Sequence, residues 1–196
     1  MKRFISILSV VILFSAAVFA ADDYNDADIY DDGYVYEQNG AGDQFLKIDL
    51  SANFPLNFDN KLYIGMSASI GYYYFLNKYF GVGFDAVIGW NNSIGQKPLI
   101  TVPVTFGVMA QPYVGKFEFP IMLNIGFATT SCQNMTYFPS LAAKGTLGAF
   151  YRINETWSVG ITSTTYWIPE WFLWENKEKS DNGFFSTLGV SLRYHF

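Results

Sequence analysis

The sequence predicts an all-β protein, an eight-stranded antiparallel up-and-down transmembrane β-barrel. Three observations carry this expectation. From Gln44 onward, stretch after stretch alternates apolar with small or polar residues, the period of a strand with two unlike faces. The connections between these stretches are alternately short and long. On the apolar faces, aromatic residues gather at both strand ends, with aliphatic residues between them. Composition agrees: of 196 residues, 51% are hydrophobic, 19% are aromatic and 15% are charged, a low charge for a surface facing water.

Each strand can be read from its alternation. "FLKIDLSANF" sets Leu46, Ile48, Leu50, Ala52 and Phe54 against Lys47, Asp49, Ser51 and Asn53. "LYIGMSASIGYYY" and "FGVGFDAVIGW" follow the same rule, with glycine and serine on the small face. The fourth strand, "ITVPVTFGVMA", opposes Val102, Val104 and Phe106 to Thr101, Pro103 and Thr105. The fifth is "FEFPIMLNIGF" and the sixth "LAAKGTLGAFY". The seventh, from Trp157 to Trp167, has a weaker apolar face. The eighth is "LGVSLRYHF", with Leu188, Val190, Leu192, Tyr194 and Phe196 on one side and Gly189, Ser191, Arg193 and His195 on the other.

Three connections are tight, "LNK", "PYVG" and "RINET". Four are longer: "PLNFDNK", "NNSIGQKP", the stretch from Thr129 to Pro139 and the stretch from Ile168 to Gly183. Short turns at one end and long loops at the other mark a barrel of the bacterial outer-membrane type. Tyr74, Phe80, Tyr151 and Trp157 stand at the short-turn end, and Phe54, Trp90, Phe127 and Phe184 at the long-loop end. Two aromatic girdles around an aliphatic band suit a bilayer and its interfaces. A soluble barrel would turn its apolar face inward and has no use for both girdles.

The N-terminal segment "MKRFISILSVVILFSAAVFA" joins a basic start to a short apolar run and small residues, the build of a secretory signal cleaved after Ala20. Residues 21–43 then carry eight acidic and no basic side chains, whereas 44–196 holds nine acidic and ten basic. Such a segment buries little and repels itself, so 21–43 is expected to be a disordered periplasmic leader, with 44–196 as the barrel. The leader lacks the spacing of a calcium loop. A single cysteine, Cys132, excludes an internal disulfide framework; a free thiol or an intermolecular bridge remains open to it.

The C-terminal residues Leu188, Val190, Leu192, Tyr194 and Phe196 resemble the recognition signal of outer-membrane proteins, with a terminal aromatic and alternating apolar residues before it. That resemblance implies that the barrel-assembly machinery reads this strand. The signal peptide and residues 44–196 together resemble the small eight-stranded outer-membrane family of OmpX-like, OmpW-like and opacity-type surface proteins. The expected location is the bacterial outer membrane, with its lipid as the surrounding partner.

A barrel of eight strands is wide enough to be filled by its own side chains. The inward positions expected from alternation are Tyr63, Tyr73, Tyr79, Tyr166, Phe150 and Phe185, with Lys47, Asp49, Asp85, Lys116, Glu118, Lys144, Arg152 and Arg193 as an interior charge network. Charges enclosed there must pair. The sole histidine, His195, faces inward beside the short-turn end, far from the outer loops where acyl-chain enzymes of this class place theirs. No metal cluster or phosphate loop accompanies it, so no catalysis, cofactor, metal or nucleic-acid partner is expected.

Two functions remain. The first is a surface protein whose exposed loops bind a host or environmental ligand, with Trp171, Phe172 and Trp174 as anchors. The same rings also suit an extension of the aromatic girdle. The second is an OmpW-like channel for small apolar molecules, for which Pro103 and Pro120 would mark a lateral opening if their missing N–H groups fell on one seam.

Overall fold

Alternation becomes a closed wall because each strand can hide one face only in the lumen and the other only against the outside. A computed structural model describes residues 38–58, 62–133, 135–170 and 181–196. The strands are β1 (Gln44–Pro55), β2 (Gly65–Phe75), β3 (Phe80–Asn92), β4 (Pro98–Ala110), β5 (Tyr113–Val114), β6 (Phe117–Glu118), β7 (Ile121–Cys132), β8 (Met135–Arg152), β9 (Trp157–Glu170) and β10 (Asp181–His195). Neighbours pair antiparallel in the ring β1-β2-β3-β4-β7-β8-β9-β10, and β10 returns to β1 from Phe45↔His195 to Pro55↔Phe185. The two-residue strands β5 and β6 pair in a short-turn connection, and β6 continues into β7 as one wall strand broken at Phe119 and Pro120. The wall is therefore an eight-stranded antiparallel barrel.

Facing follows the pleat. Along β1, Leu46, Ile48 and Leu50 are exposed while Phe45, Lys47 and Asp49 are buried. The outward apolar belt is continuous around the ring and includes Val104, Ile125, Leu147, Ile161 and Val190. Rings pair across strands at the short-turn rim, with Trp157 and Tyr194 edge-to-face at 5.0 Å and Phe117 and Tyr151 at 5.3 Å. Inside, one apolar cluster near that rim holds Phe45, Tyr73, Phe75, Met109 and Met122. A second, toward the long loops, holds Val87, Tyr166, Ile168 and Phe185.

The long-loop end corrects the expected connections. The stretch from Thr129 to Pro139 is mostly strand: β7 and β8 stay paired to Cys132↔Met135, with a bulge between Ala128 and Thr130. Thr129, Thr130, Thr136, Tyr137 and Phe138 are β-branched or aromatic, and Gln133 supplies the turn at φ 54. Pro139 is tolerated because β8 pairs with β9 only from Ala143↔Trp167, which leaves that part of β8 on an edge. Likewise, Asn92↔Pro98 pair, which shortens that loop to 93–97, and β9 and β10 stay paired to Glu170↔Asp181.

Candidate functional site

The lumen is where the sequence places residues that a lipid-facing barrel does not need on its wall. Asp85 of β3 is fully buried at its centre. It accepts from Lys144 Nζ of β8 at 2.5 Å and from the Tyr73 hydroxyl of β2 at 2.5 Å, and Lys47 Nζ of β1 lies 3.2 Å away. Lys47 also reaches Asp49 at 3.1 Å, and Ser69 donates to Asp49 at 2.7 Å. Asn124 of β7 donates to the Tyr73 oxygen at 3.3 Å. Two lysines and two aspartates thus cancel in charge and tie three strands, β1, β3 and β8, together across the middle. Room for them comes from glycine. A Cβ on Gly71 would lie 2.0 Å from an Asp85 oxygen, and one on Gly83 would lie 2.5 Å from the Tyr73 ring.

A second group lies nearer the short turns. Glu118 of β6 bridges Arg152 of β8 at 2.9 Å and Arg193 of β10 at 3.4 Å. The Arg193 guanidinium lies against the Phe150 ring at 3.4 Å and above Phe45 at 4.6 Å. Its Nη1 donates to Gln111 Oε1 at 2.8 Å, and Arg152 Nη1 donates to Asn39 Oδ1 at 2.9 Å. His195 Nε2 is 2.7 Å from the hydroxyl of Ser158, which is wholly buried.

Seven of the eight residues expected as an interior charge network therefore face the lumen, divided between two groups. Lys116 does not: it is exposed in the turn after Gly115, whose φ of 55 reverses the chain before the alternation of β6 begins. Tyr63 is also outside, 57% exposed, because β2 starts only at Gly65 and Leu62–Ser93 is an isolated bridge. Tyr79 is half-buried against Tyr113, with ring centres 5.8 Å apart. Leu188, Val190, Leu192, Tyr194 and Phe196 all point outward along the closing strand. Trp171, Phe172 and Trp174 lie outside the described residues.

The two prolines do not share a seam, which corrects the lateral opening expected from their pairing. Pro103 coincides with a gap in the β3–β4 ladder, where Ala86↔Val104 is followed directly by Gly89↔Thr101. Pro120 breaks the seam with β8. The β4–β7 seam between them is unbroken from Leu99↔Cys132 to Ala110↔Ile121. Beside the Pro103 gap the lumen contains a small, partly open pocket, lined by Asn53, Ser67, Val87, Thr101, Tyr166 and Phe185 among others. Alternation alone gave no sign of this pocket, of the Tyr73–Asp85 bond or of the contribution of Gln111 and Asn39. Tyr73 and Asp85 meet diagonally on the paired strands β2 and β3, and the contacts of Gln111 and Asn39 reach across the lumen, so all depend on strand stagger.

A closed ring of eight antiparallel strands, an apolar belt and a lumen packed with paired charges define a small eight-stranded outer-membrane β-barrel. A protein-family model matches residues 22–194, and the chain belongs to that family. Two relatives are uncharacterized proteins of Treponema pallidum (strain Nichols). One is 24% identical over 170 residues, covering 80% of this chain and 56% of its own length. The other is 25% identical over 180 residues, covering 83% and 81%. The chain thus spans little more than half of the first relative. Among solved structures, Neisserial surface protein A superposes with a TM-score of 0.64 at 11% identity, over 79% of this chain and 99% of that one. OprG from Pseudomonas aeruginosa superposes with a TM-score of 0.53 at 12% identity, over 82% and 98%. At these identities the likeness is one of fold.

Proposed function

We propose that this chain is an integral surface protein of the bacterial outer membrane that binds a host or environmental ligand through its long-loop end and does not conduct. The observation that carries this reading is the cross-link Lys47–Asp85–Lys144, which spans the lumen at mid-height with contacts of 2.5 to 3.2 Å. A solute path would have to break it, and each buried ion left alone costs several kcal/mol. In this reading, residues 1–20 direct export, 21–43 stay on the periplasmic side and the closing strand engages the assembly machinery. In this reading the chain is not a catalyst, which the burial of Ser158, the hydroxyl beside His195, supports. Exposed apolar side chains at the long-loop end, Leu56, Ile94 and Phe138, add to Trp171, Phe172 and Trp174 as contact surface in this reading.

The test is a triple substitution, Trp171→Ala, Phe172→Ala and Trp174→Ala, in cells displaying the chain. Adherence to the partner surface should be lost while the barrel remains folded, because anchor aromatics contribute about 2 kcal/mol or more each in a pocket. Unchanged adherence with a lowered melting temperature would refute the reading and leave those rings as membrane anchors.

A second reading, a channel for small apolar molecules, is favoured by one observation: the pocket lined by Val87 and Pro103 adjoins the gap in the β3–β4 ladder.

A further inference from the structure

At the short-turn end of the lumen, two arginines share one carboxylate. Arg152, Arg193 and Glu118 together leave one positive charge uncancelled, and all three are buried. Five donor atoms of this group are enclosed without a hydrogen-bond partner: Arg193 Nε and Nη2, Arg152 Nε, Gln111 Nε2 and Asn39 Nδ2. The acceptors beside them are already engaged. Glu118 Oε1 and Oε2 each face an arginine, Gln111 Oε1 takes Arg193 and Asn39 Oδ1 takes Arg152. Among the side chains of Arg152, Arg193, Glu118, Gln111 and Asn39 the mismatch is therefore one-sided, with donors and positive charge both in excess.

Two kinds of guest could meet such donors. A water accepts hydrogen bonds, but its own two protons then need acceptors, and it leaves the charge in place. A monatomic anion accepts from several donors at once, has nothing to donate and cancels the charge in a low-dielectric site. Phe150 lies 3.4 Å and Phe45 4.6 Å from the Arg193 guanidinium carbon, and these rings help keep water from the charge. We propose that Arg152, Arg193, Gln111 and Asn39 hold a small inorganic anion of halide size, a built-in ligand that completes the lumen at its short-turn end.

A ligand that binds the folded state alone raises stability with its own concentration. The mature chain, refolded in detergent, should therefore unfold at a higher urea concentration in sodium chloride than in sodium gluconate of equal ionic strength. The gain should saturate as chloride rises, and bromide should reproduce it. Gln111→Glu places a carboxylate beside Arg193 and cancels the surplus charge from within. That variant should lose the halide dependence and match the chloride-bound wild type even in gluconate. Arg152→Gln, which removes the surplus charge instead, should also unfold at one midpoint in both salts, and it stands in should Gln111→Glu fail to fold. Equal wild-type midpoints in chloride and gluconate would overturn the proposal in favour of water. So would a Gln111→Glu or Arg152→Gln protein that keeps the full halide response.

Discussion

Asp85 concentrates the energetics of the lumen in one side chain. An exposed ion pair contributes about 0–1 kcal/mol, whereas removing one partner of a buried pair costs roughly 3–5 kcal/mol, because the other charge stays unpaired. Asp85→Asn leaves Lys47 and Lys144 with Asp49 as the remaining carboxylate of their group and weakens the acceptor of Tyr73. Its loss in urea unfolding should fall in the 3–5 kcal/mol range. Adding Lys144→Met should recover part of that loss, since it removes the stranded charge; equal losses in the single and double variants would show that the two side chains are not coupled. Gly83→Ala should cost about 1–3 kcal/mol by overpacking, because the Tyr72 carbonyl oxygen and the Tyr73 ring occupy the space of the new methyl. The sequence shows that Lys47, Asp85 and Lys144 face inward, since facing is a matter of alternation along one strand. It does not show that they meet, because their meeting depends on the stagger between strands far apart in sequence.

At the scale of the strand, the outward row is tuned to lipid and the inward row to packing, and neighbouring positions on β4 separate the two. Val104 is 51% exposed on the wall between the girdles, and Leu147 on β8 is its counterpart. Arginine at either should cost about 2–4 kcal/mol in lipid, as a charge near the bilayer midplane does. Thr105, the next residue on β4, is fully buried and its hydroxyl has no hydrogen-bond partner. Thr105→Val should therefore leave stability equal or slightly higher. Unfolding of the three variants in vesicles checks the facing; a large loss for Thr105→Val would place an unseen partner on that hydroxyl. All eight wall strands were legible because their periods run over ten residues or so. The upper β7–β8 hairpin was not, because "TTSCQNMTYF" mixes turn formers with strand formers. Its pairing depends on Leu99–Val102 of β4 lying alongside β7 to extend the ladder. Lys116 was misplaced for the converse reason, an alternation carried through a turn that a left-handed glycine had already reversed.

For the whole molecule, closure and filling make different demands. Closure through β1–β10 gives every wall strand a partner on both sides, and such a ring resists detergent, so the protein should migrate faster unheated than boiled. Filling decides what passes. The mid-height cross-link predicts silence in planar bilayers, and steady, reproducible pores would remove the non-conducting reading. A lateral route would bypass that cross-link by leaving through the β3–β4 gap above it, and Pro103 is the residue that tests it. Proline offers no N–H to the ladder, so Pro103→Val should restore the missing contact toward Val87 and raise stability, by about 0.5–1.5 kcal/mol for one net hydrogen bond. The seam is then closed without touching the loops. In the surface-protein reading, cells carrying Pro103→Val should adhere as the wild type does, and their uptake of a small apolar dye should not change. In the channel reading, uptake should fall as the seam tightens while adherence plays no part. Lower uptake together with a higher unfolding midpoint would favour the channel, because a stronger wall then coincides with a weaker function.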